Sequence, residues 1–336
     1  MSAWLLMGLP GSILAFGLGQ AWIGIGLAIG TALNWILIAR RLRKFSQAAN
    51  DSITLPQYLS NRFVTKSKTL QVVCAVVFLV CFTLYVASAF VAGANVFTSI
   101  FDIDKSIAML IFALILIIYT FLGGFRAVCW TDFFQGLLML VAVLAIPIIV
   151  FFTENLDYAV LDKVVEVTAK DGTVTAYSFI GDLFSAPPAE IVSGLAWGLG
   201  YFGMPHILVR FMAIEKPSMV KKSAIVAIVW VVLALVAVIV IAVFGRIMIG
   251  EELLLKGAQS MVFIETARKL FPAFIAGILL SAVIAASMST ADSQLLVASS
   301  SFTSDIYKPI LRKNASDKET LWVGRIVVLI VSVIAY

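Results

Sequence analysis

The chain has 336 residues, 62% hydrophobic and 13% charged, with a mean hydropathy of +1.06; a soluble domain is about 25% charged and about 45–50% apolar. An ordinary globular protein is therefore excluded, and the bilayer is the solvent. The net charge of +5 comes from Lys and Arg clustered between apolar runs, with no basic stripe of interleaved aromatics, so nucleic acid is not a partner.

With about 20 apolar residues per crossing, the sequence predicts about nine transmembrane helices, near 3–18, 21–39, 69–97, 106–122, 128–152, 189–209, 219–248, 271–302 and 320–336. These runs are too long and too unalternating for barrel strands. The start passes straight into apolar sequence with no charged n-region or cleavage site, so no signal peptide is expected. Cys74, Cys81 and Cys129 lie within or beside apolar runs and read as small core residues rather than disulfide or metal ligands.

The loop 40–68 carries Arg40, Arg41, Arg43, Lys44, Arg62, Lys66 and Lys68 against Asp51 alone. Arg126, Arg210, Lys216, Lys221, Lys222, Lys308, Arg312, Lys313, Lys318 and Arg325 fall on the same side when spans alternate, which makes that side cytoplasmic. One region dissents, with Arg246, Lys256, Arg268 and Lys269 outside among Glu251, Glu252 and Glu265. Within the basic loop, Thr54-Leu55-Pro56-Gln57-Tyr58-Leu59 predicts a short helix lying on the membrane, with Pro in its first turn. In the outer loop 153–188, Lys170-Asp171-Gly172-Thr173 predicts a turn between β-branched stretches at 164–167 and 174–175, an extramembrane ornament without chemistry.

Two spans carry Gly and Pro in clusters: Met7-Gly8-Leu9-Pro10-Gly11 in the first, and Gly198-Leu199-Gly200-Tyr201-Phe202-Gly203-Met204-Pro205 in the sixth. Non-helical backbone at membrane depth must satisfy its N–H and C=O groups against protein, an ion or a solute. Glycines in membrane helices also serve close packing. Two interruptions five spans apart, in matching places of two halves, instead predict an inverted-repeat transporter with a midplane site.

The eighth span supplies polar groups, Ser287-Met288-Ser289-Thr290-Ala291-Asp292-Ser293-Gln294. Asp292 is a carboxylate at membrane depth, which by itself predicts a functional site. The Ser289 and Thr290 hydroxyls with free carbonyls form an oxygen set that suits sodium better than a transition metal. Asp132, near the start of span five, has two readings, a helix N-terminal acid or an ion relay. Trp197 and Tyr201 stand at i and i+4, sharing a helical face with Pro205 one turn on, and Tyr85 lies mid-span in the third helix. His206, the single histidine, reads as a hydrogen-bonded packing residue. No nucleophile–base pair, phosphate loop or zinc spacing occurs, so the chain is not expected to be an enzyme.

The stretches Trp4-Leu5-Leu6-Met7-Gly8-Leu9-Pro10-Gly11, Gly123-Gly124-Phe125-Arg126-Ala127-Val128-Cys129-Trp130-Thr131-Asp132, Trp197 to Gly203 with Pro205-His206, and Met288 to Gln294 closely resemble the sodium/solute symporter family, in particular its bacterial sodium/proline symporters. The resemblance implies an all-α polytopic membrane bundle of the LeuT type. It further implies a five-plus-five inverted repeat, incomplete here, within one transporter domain over 1–336: a first repeat at about 1–152, the outer loop 153–188 and a second repeat 189–336. It also implies alternating access and sodium-driven uptake of L-proline across the bacterial cytoplasmic (inner) membrane, with no cofactor beyond Na+ as coupling ion.

By the same resemblance, sodium is held by the Ser289 and Thr290 hydroxyls and the carbonyls of Ala286 and Met1, proline by Trp197, Tyr201, Pro205 and Tyr85, and coupling involves Asp132 beside Asp292. The family carries a helix before the first one here and others after the last, which implies that this chain is an internal portion of a symporter. Other readings are a symporter for another amino acid, a compatible solute or a carboxylate, and a membrane solute sensor. A channel fits less well, since matched broken helices suit an occluded site.

Overall fold

A computed structural model describes residues 3–168 and 174–336. Among these residues it is an all-α membrane bundle with one two-stranded antiparallel sheet. Twelve α-helices run in order: α1 (Ala3–Phe16), α2 (Ala21–Leu33), α3 (Arg40–Ala48), α4 (Leu55–Arg62), α5 (Thr69–Phe101), α6 (Lys105–Thr153), α7 (Pro188–Ala196), α8 (Pro205–Met212), α9 (Val220–Leu255), α10 (Val262–Leu270), α11 (Ala273–Phe302) and α12 (Asp317–Ala335). A π-helical turn, Asn34–Ala39, joins α2 to α3, and a second, Thr303–Leu311, prolongs α11.

Among the described residues, five helical stretches are long and apolar enough to cross a membrane, and Pro188–Phe202 with Pro205–Met212 makes a sixth. One of the five, α6, has 49 residues, about 73 Å at 1.5 Å per residue, against a hydrocarbon layer of about 30 Å. It is two crossings, divided at Gly124, where φ 59° and ψ −162° suit a residue without Cβ. The shorter α1 and α12 complete the expected order. The chain is a multi-pass membrane protein, and its apolar exposed faces, such as Val73, Val77, Val80 and Leu84 on α5, are what lipid contact requires.

The helices form two compact units. The first gathers residues 1–34, 136–202 and 224–285. Here α2 meets α7 and the 3₁₀ turn Trp197–Phe202 along a seam of glycines. A Cβ on Gly30 would strike the backbone of Gly198, one on Gly198 the carbonyl of Gly26, and one on Gly26 the carbonyl of Gly194. Gly26-xxx-Gly30 thus packs on Gly194-xxx-Gly198, the small-residue device that lets membrane helices touch backbone to backbone.

The outer loop belongs to this unit and is more than an ornament. Its strands β1 (Val165–Thr168) and β2 (Val174–Tyr177) pair antiparallel, and the expected turn at 170–173 lies outside the described residues. Val165, Val167 and Tyr177 pack on Leu14, Leu253, Leu254 and Val262. Leu18 N–H donates to the Ile180 carbonyl (2.9 Å), and Trp22 Nε1 donates to Leu183 (2.8 Å). Arg246, 2% exposed, donates from Nη2 to the carbonyls of Lys163 (3.0 Å) and Tyr177 (3.2 Å). One of the dissenting outer cations is therefore a buried helix residue holding the loop.

The second unit comprises 35–135, 203–223 and 286–336. Helix α4 has Thr54 as N-cap, accepting from Gln57 N, and Pro56 in its first turn, as its sequence predicts. It is docked in protein rather than lying free on the membrane. Tyr58 is buried with Leu42, Leu208, Phe211 and Val220, and Thr54 Oγ1 donates to Asp305 (2.7 Å), which also accepts from Gln71 (2.9 Å). All three cysteines are free, but they are not the core residues expected: Cys74 is half-buried, and Cys81 and Cys129 are exposed. A small apolar side chain is as compatible with a lipid-facing surface as with a core.

Candidate functional site

The two Gly–Pro stretches fold differently. In the sixth span, α7 tightens into the 3₁₀ turn Trp197–Phe202, breaks at Gly203–Met204 and restarts with Pro205 in the first turn of α8. In the first span no break exists: α1 runs unbroken from Ala3 to Phe16 with Pro10 inside it, which corrects the expectation for 7–11. Gly8 and Gly11 are packing residues. A Cβ on Gly8 would lie 2.5 Å from Trp4 Cδ1, and one on Gly11 would lie 2.9 Å from the Gln259 carbonyl oxygen. The helix ends instead at Gly17, where φ is 91°.

In the first unit, Trp197 stacks on Trp4, centroids 5.1 Å apart and planes 14° off parallel. Tyr201 lines a cavity of about 120 Å³ with Trp4, Leu5, Leu27, Trp230, Val231 and Leu235. The 3₁₀ turn changes the expected geometry. At three residues per turn it is i and i+3 that align, so i and i+4 lie about a third of a turn apart rather than on one face. Trp4 is the residue that both approach. The Tyr201 carbonyl accepts a hydrogen bond from Asn34 Nδ2 (2.8 Å). Asn34 is 1% exposed, and its Oδ1 is buried without a partner among the described residues.

In the second unit the hydroxyls of α11 turn back on their own helix. Ser289 Oγ donates to the Ala286 carbonyl at 3.3 Å and Thr290 Oγ1 to the same oxygen at 3.1 Å. Three neutral oxygens are thereby gathered on one helical face, a hard donor set of the kind sodium takes. Met1 lies outside the described residues.

One turn along, Asp292 is fully buried. It accepts from Tyr119 OH at 2.7 Å on one oxygen and from Ser293 Oγ at 3.3 Å on the other. Arg210 Nη2 donates to Ser293 Oγ (2.7 Å) and ion-pairs with Asp132. The two carboxylates are thus joined through Arg210 and Ser293. Asp132 lies two turns past Gly124 and pairs with a guanidinium, so the helix N-terminal reading falls. Two carboxyl groups thus share one guanidinium within a single hydrogen-bonded network.

Also in this unit, Tyr85 and His206 flank Phe82, with ring centroids 6.0 and 5.9 Å from it, and Pro205 precedes His206. His206 packs as expected, but its Nδ1 is buried without a hydrogen-bond partner among the described residues. Trp197 and Tyr201 belong to the first unit; Tyr85, Pro205, Ser289, Thr290 and both aspartates belong to the second.

Nothing in the sequence marks Arg210, Tyr119, Phe82 or Trp4 as a site residue: Arg210 reads as a topogenic charge, and the other three are aromatics among many. Asn34 carries a readable signal, being the one amide side chain between 21 and 39.

A helix broken at membrane depth with its freed carbonyl held by a neighbouring helix, and a polar cluster on a continuous helix, are each features that secondary-transporter folds carry. The chain belongs to the sodium:solute symporter family, whose family model matches residues 1–336, and so sits among transporters rather than enzymes. It is 45% identical over 343 residues to the sodium/proline symporter of Haemophilus influenzae, covering all of this chain and 66% of that protein. It is 41% identical over 339 residues to the high-affinity proline transporter PutP of Bacillus subtilis, covering all of this chain and 69% of the relative. The chain thus spans about two thirds of the length of these relatives. A solved structure of a Na+-coupled sialic acid symporter, substrate-bound and outward-open, has the same LeuT-type fold, with a TM-score of 0.78 at 20% identity over 99% of this chain and 70% of that one.

Proposed function

We propose that the protein imports L-proline with sodium by alternating access, in the cytoplasmic membrane of a bacterium. The observation that carries the sodium half is the trio of oxygens on α11, with Ser289 Oγ and Thr290 Oγ1 standing 3.3 and 3.1 Å from the Ala286 carbonyl oxygen. With the Met1 carbonyl they would hold the ion. Proline as solute is supported by the names of the relatives at 41–45% identity. Trp197, Tyr201, Pro205 and Tyr85 would contact it, the aromatics covering its apolar ring. The network Asp132–Arg210–Ser293–Asp292 would couple ion occupancy to the sixth helix, since Arg210 stands in the last turn of α8, the segment after the break. The repeats in this reading are 1–152 and 189–336, with 153–188 as the outer loop.

Sodium at α11 would raise proline affinity, and linkage then requires proline to tighten sodium by the same factor. The test is uptake of labelled proline by the full-length protein in proteoliposomes. Uptake should rise at least tenfold with an inward sodium gradient, and no response to sodium rejects the coupling. Replacing Ser289 and Thr290 together by Ala should raise the half-saturating sodium concentration at least tenfold. An unchanged requirement removes both from the ion site.

A further inference from the structure

In an unbroken helix the carbonyl of Tyr201 would accept from the N–H of residue 205. Residue 205 is proline and has none. The sequence therefore strands a carbonyl at membrane depth, on the residue whose side chain the proposed function assigns to the solute. A stranded carbonyl there must find a donor or the turn must move until it does. The donor comes from α2: Asn34 Nδ2 reaches the Tyr201 oxygen at 2.8 Å. The amide makes this bond and no other among the described residues, since its Oδ1 is buried and unpartnered. Its helix is seated on the turn by the Gly26–Gly30 and Gly194–Gly198 seam, close enough for so short a side chain to reach across. At Asn34 the helix also changes from α to π-helical winding, a local irregularity common at functional sites.

From this geometry we infer that Asn34 is a positioning residue of the solute site. It substitutes for the hydrogen bond that Pro205 cannot make, and so holds the 3₁₀ turn in the one setting that presents Tyr201 to the solute. It touches neither solute nor ion. The inference rests on the proposed proline site and adds to it a residue from a helix that carries none of the assigned contacts.

The experiment is proline uptake by the full-length protein in proteoliposomes, comparing wild type with Asn34→Leu, Asn34→Ala and Asn34→Gln. Leu keeps about the size of the side chain and loses the donor, Ala loses the donor without adding bulk, and Gln keeps the donor. Asn34→Leu and Asn34→Ala should raise the proline KM about tenfold, with maximal rate per folded transporter and half-saturating sodium, measured at proline scaled to each KM, within about twofold of wild type. Asn34→Gln should stay within about threefold in KM. A purely structural role would instead lower the amount of folded protein and the maximal rate at unchanged KM. A wild-type KM in either donor-less variant overturns the inference while leaving the proline reading intact. Should one of these two variants fail to fold, the other decides. Absence of sodium-dependent proline uptake in the wild type overturns the proline reading itself, and is told apart because it shows before any substitution is made.

Discussion

The Gly–Pro stretches at 7–11 and 198–205 look alike as text and fold oppositely. In the first, Trp4 fills the space over Gly8, backbone at 259–260 fills the space over Gly11, and the helix continues through Pro10. In the second, Gly198 is packed on α2 as tightly, but nothing lies within 4 Å of where a Cβ on Gly200 would be, and the carbonyl that Pro205 strands accepts from a donor on the α2 side, Asn34. Glycine and proline make a break possible; the neighbours decide whether it forms. Where a neighbour occupies the missing side chain's volume, the glycine is a packing residue. Where a neighbour supplies a hydrogen bond, the break is held open.

The sharpest way to break this contrast is Gly30→Val. Its side chain would meet the Gly198 backbone, which cannot yield as a flexible side chain can, so the loss should be about 3 kcal/mol or more, the upper range for overpacking. Unfolding in mixed micelles titrated with denaturing detergent measures it, and a loss under about 1 kcal/mol would mean that the seam is not close-packed. Gly8→Ala tests the other stretch. The clash is with the movable Trp4 ring, so the cost should be about 1 kcal/mol, mostly the lost Trp4–Trp197 stacking, and tryptophan fluorescence should change with it. Unaltered fluorescence would separate Gly8 from the Trp4 position. The smallest effect is expected for Pro10→Ala: the regained N–H to Leu6 and the lost packing offset each other, leaving stability within about 1 kcal/mol. A marked loss of uptake in that variant would restore a working break at 7–11.

Much of the fold is legible along the chain, because in lipid every backbone polar group must be satisfied within helices and apolar length then counts crossings. The division of α6 at Gly124 and the capped start of α4 at Thr54 are local signals of the same kind. The site is legible in part. The Ser289, Thr290 and Asp292 run stands out because hydroxyls and a carboxylate are costly in an apolar helix. Arg210 does not, since a cation at a helix end serves topology and chemistry alike, and only its contact with Asp132 and Ser293 distinguishes the two.

From its residues alone the chain is a polytopic helical membrane protein with a broken sixth span and an oxygen-rich eighth, since composition and the missing N–H of Pro205 act locally. Tertiary structure decided which Gly–Pro stretch breaks, which side chain receives the stranded carbonyl, and that Asp132 and Asp292 share one network. Those outcomes depend on what lies across a helix–helix contact, and residues 34 and 201, or 132 and 293, meet only after folding.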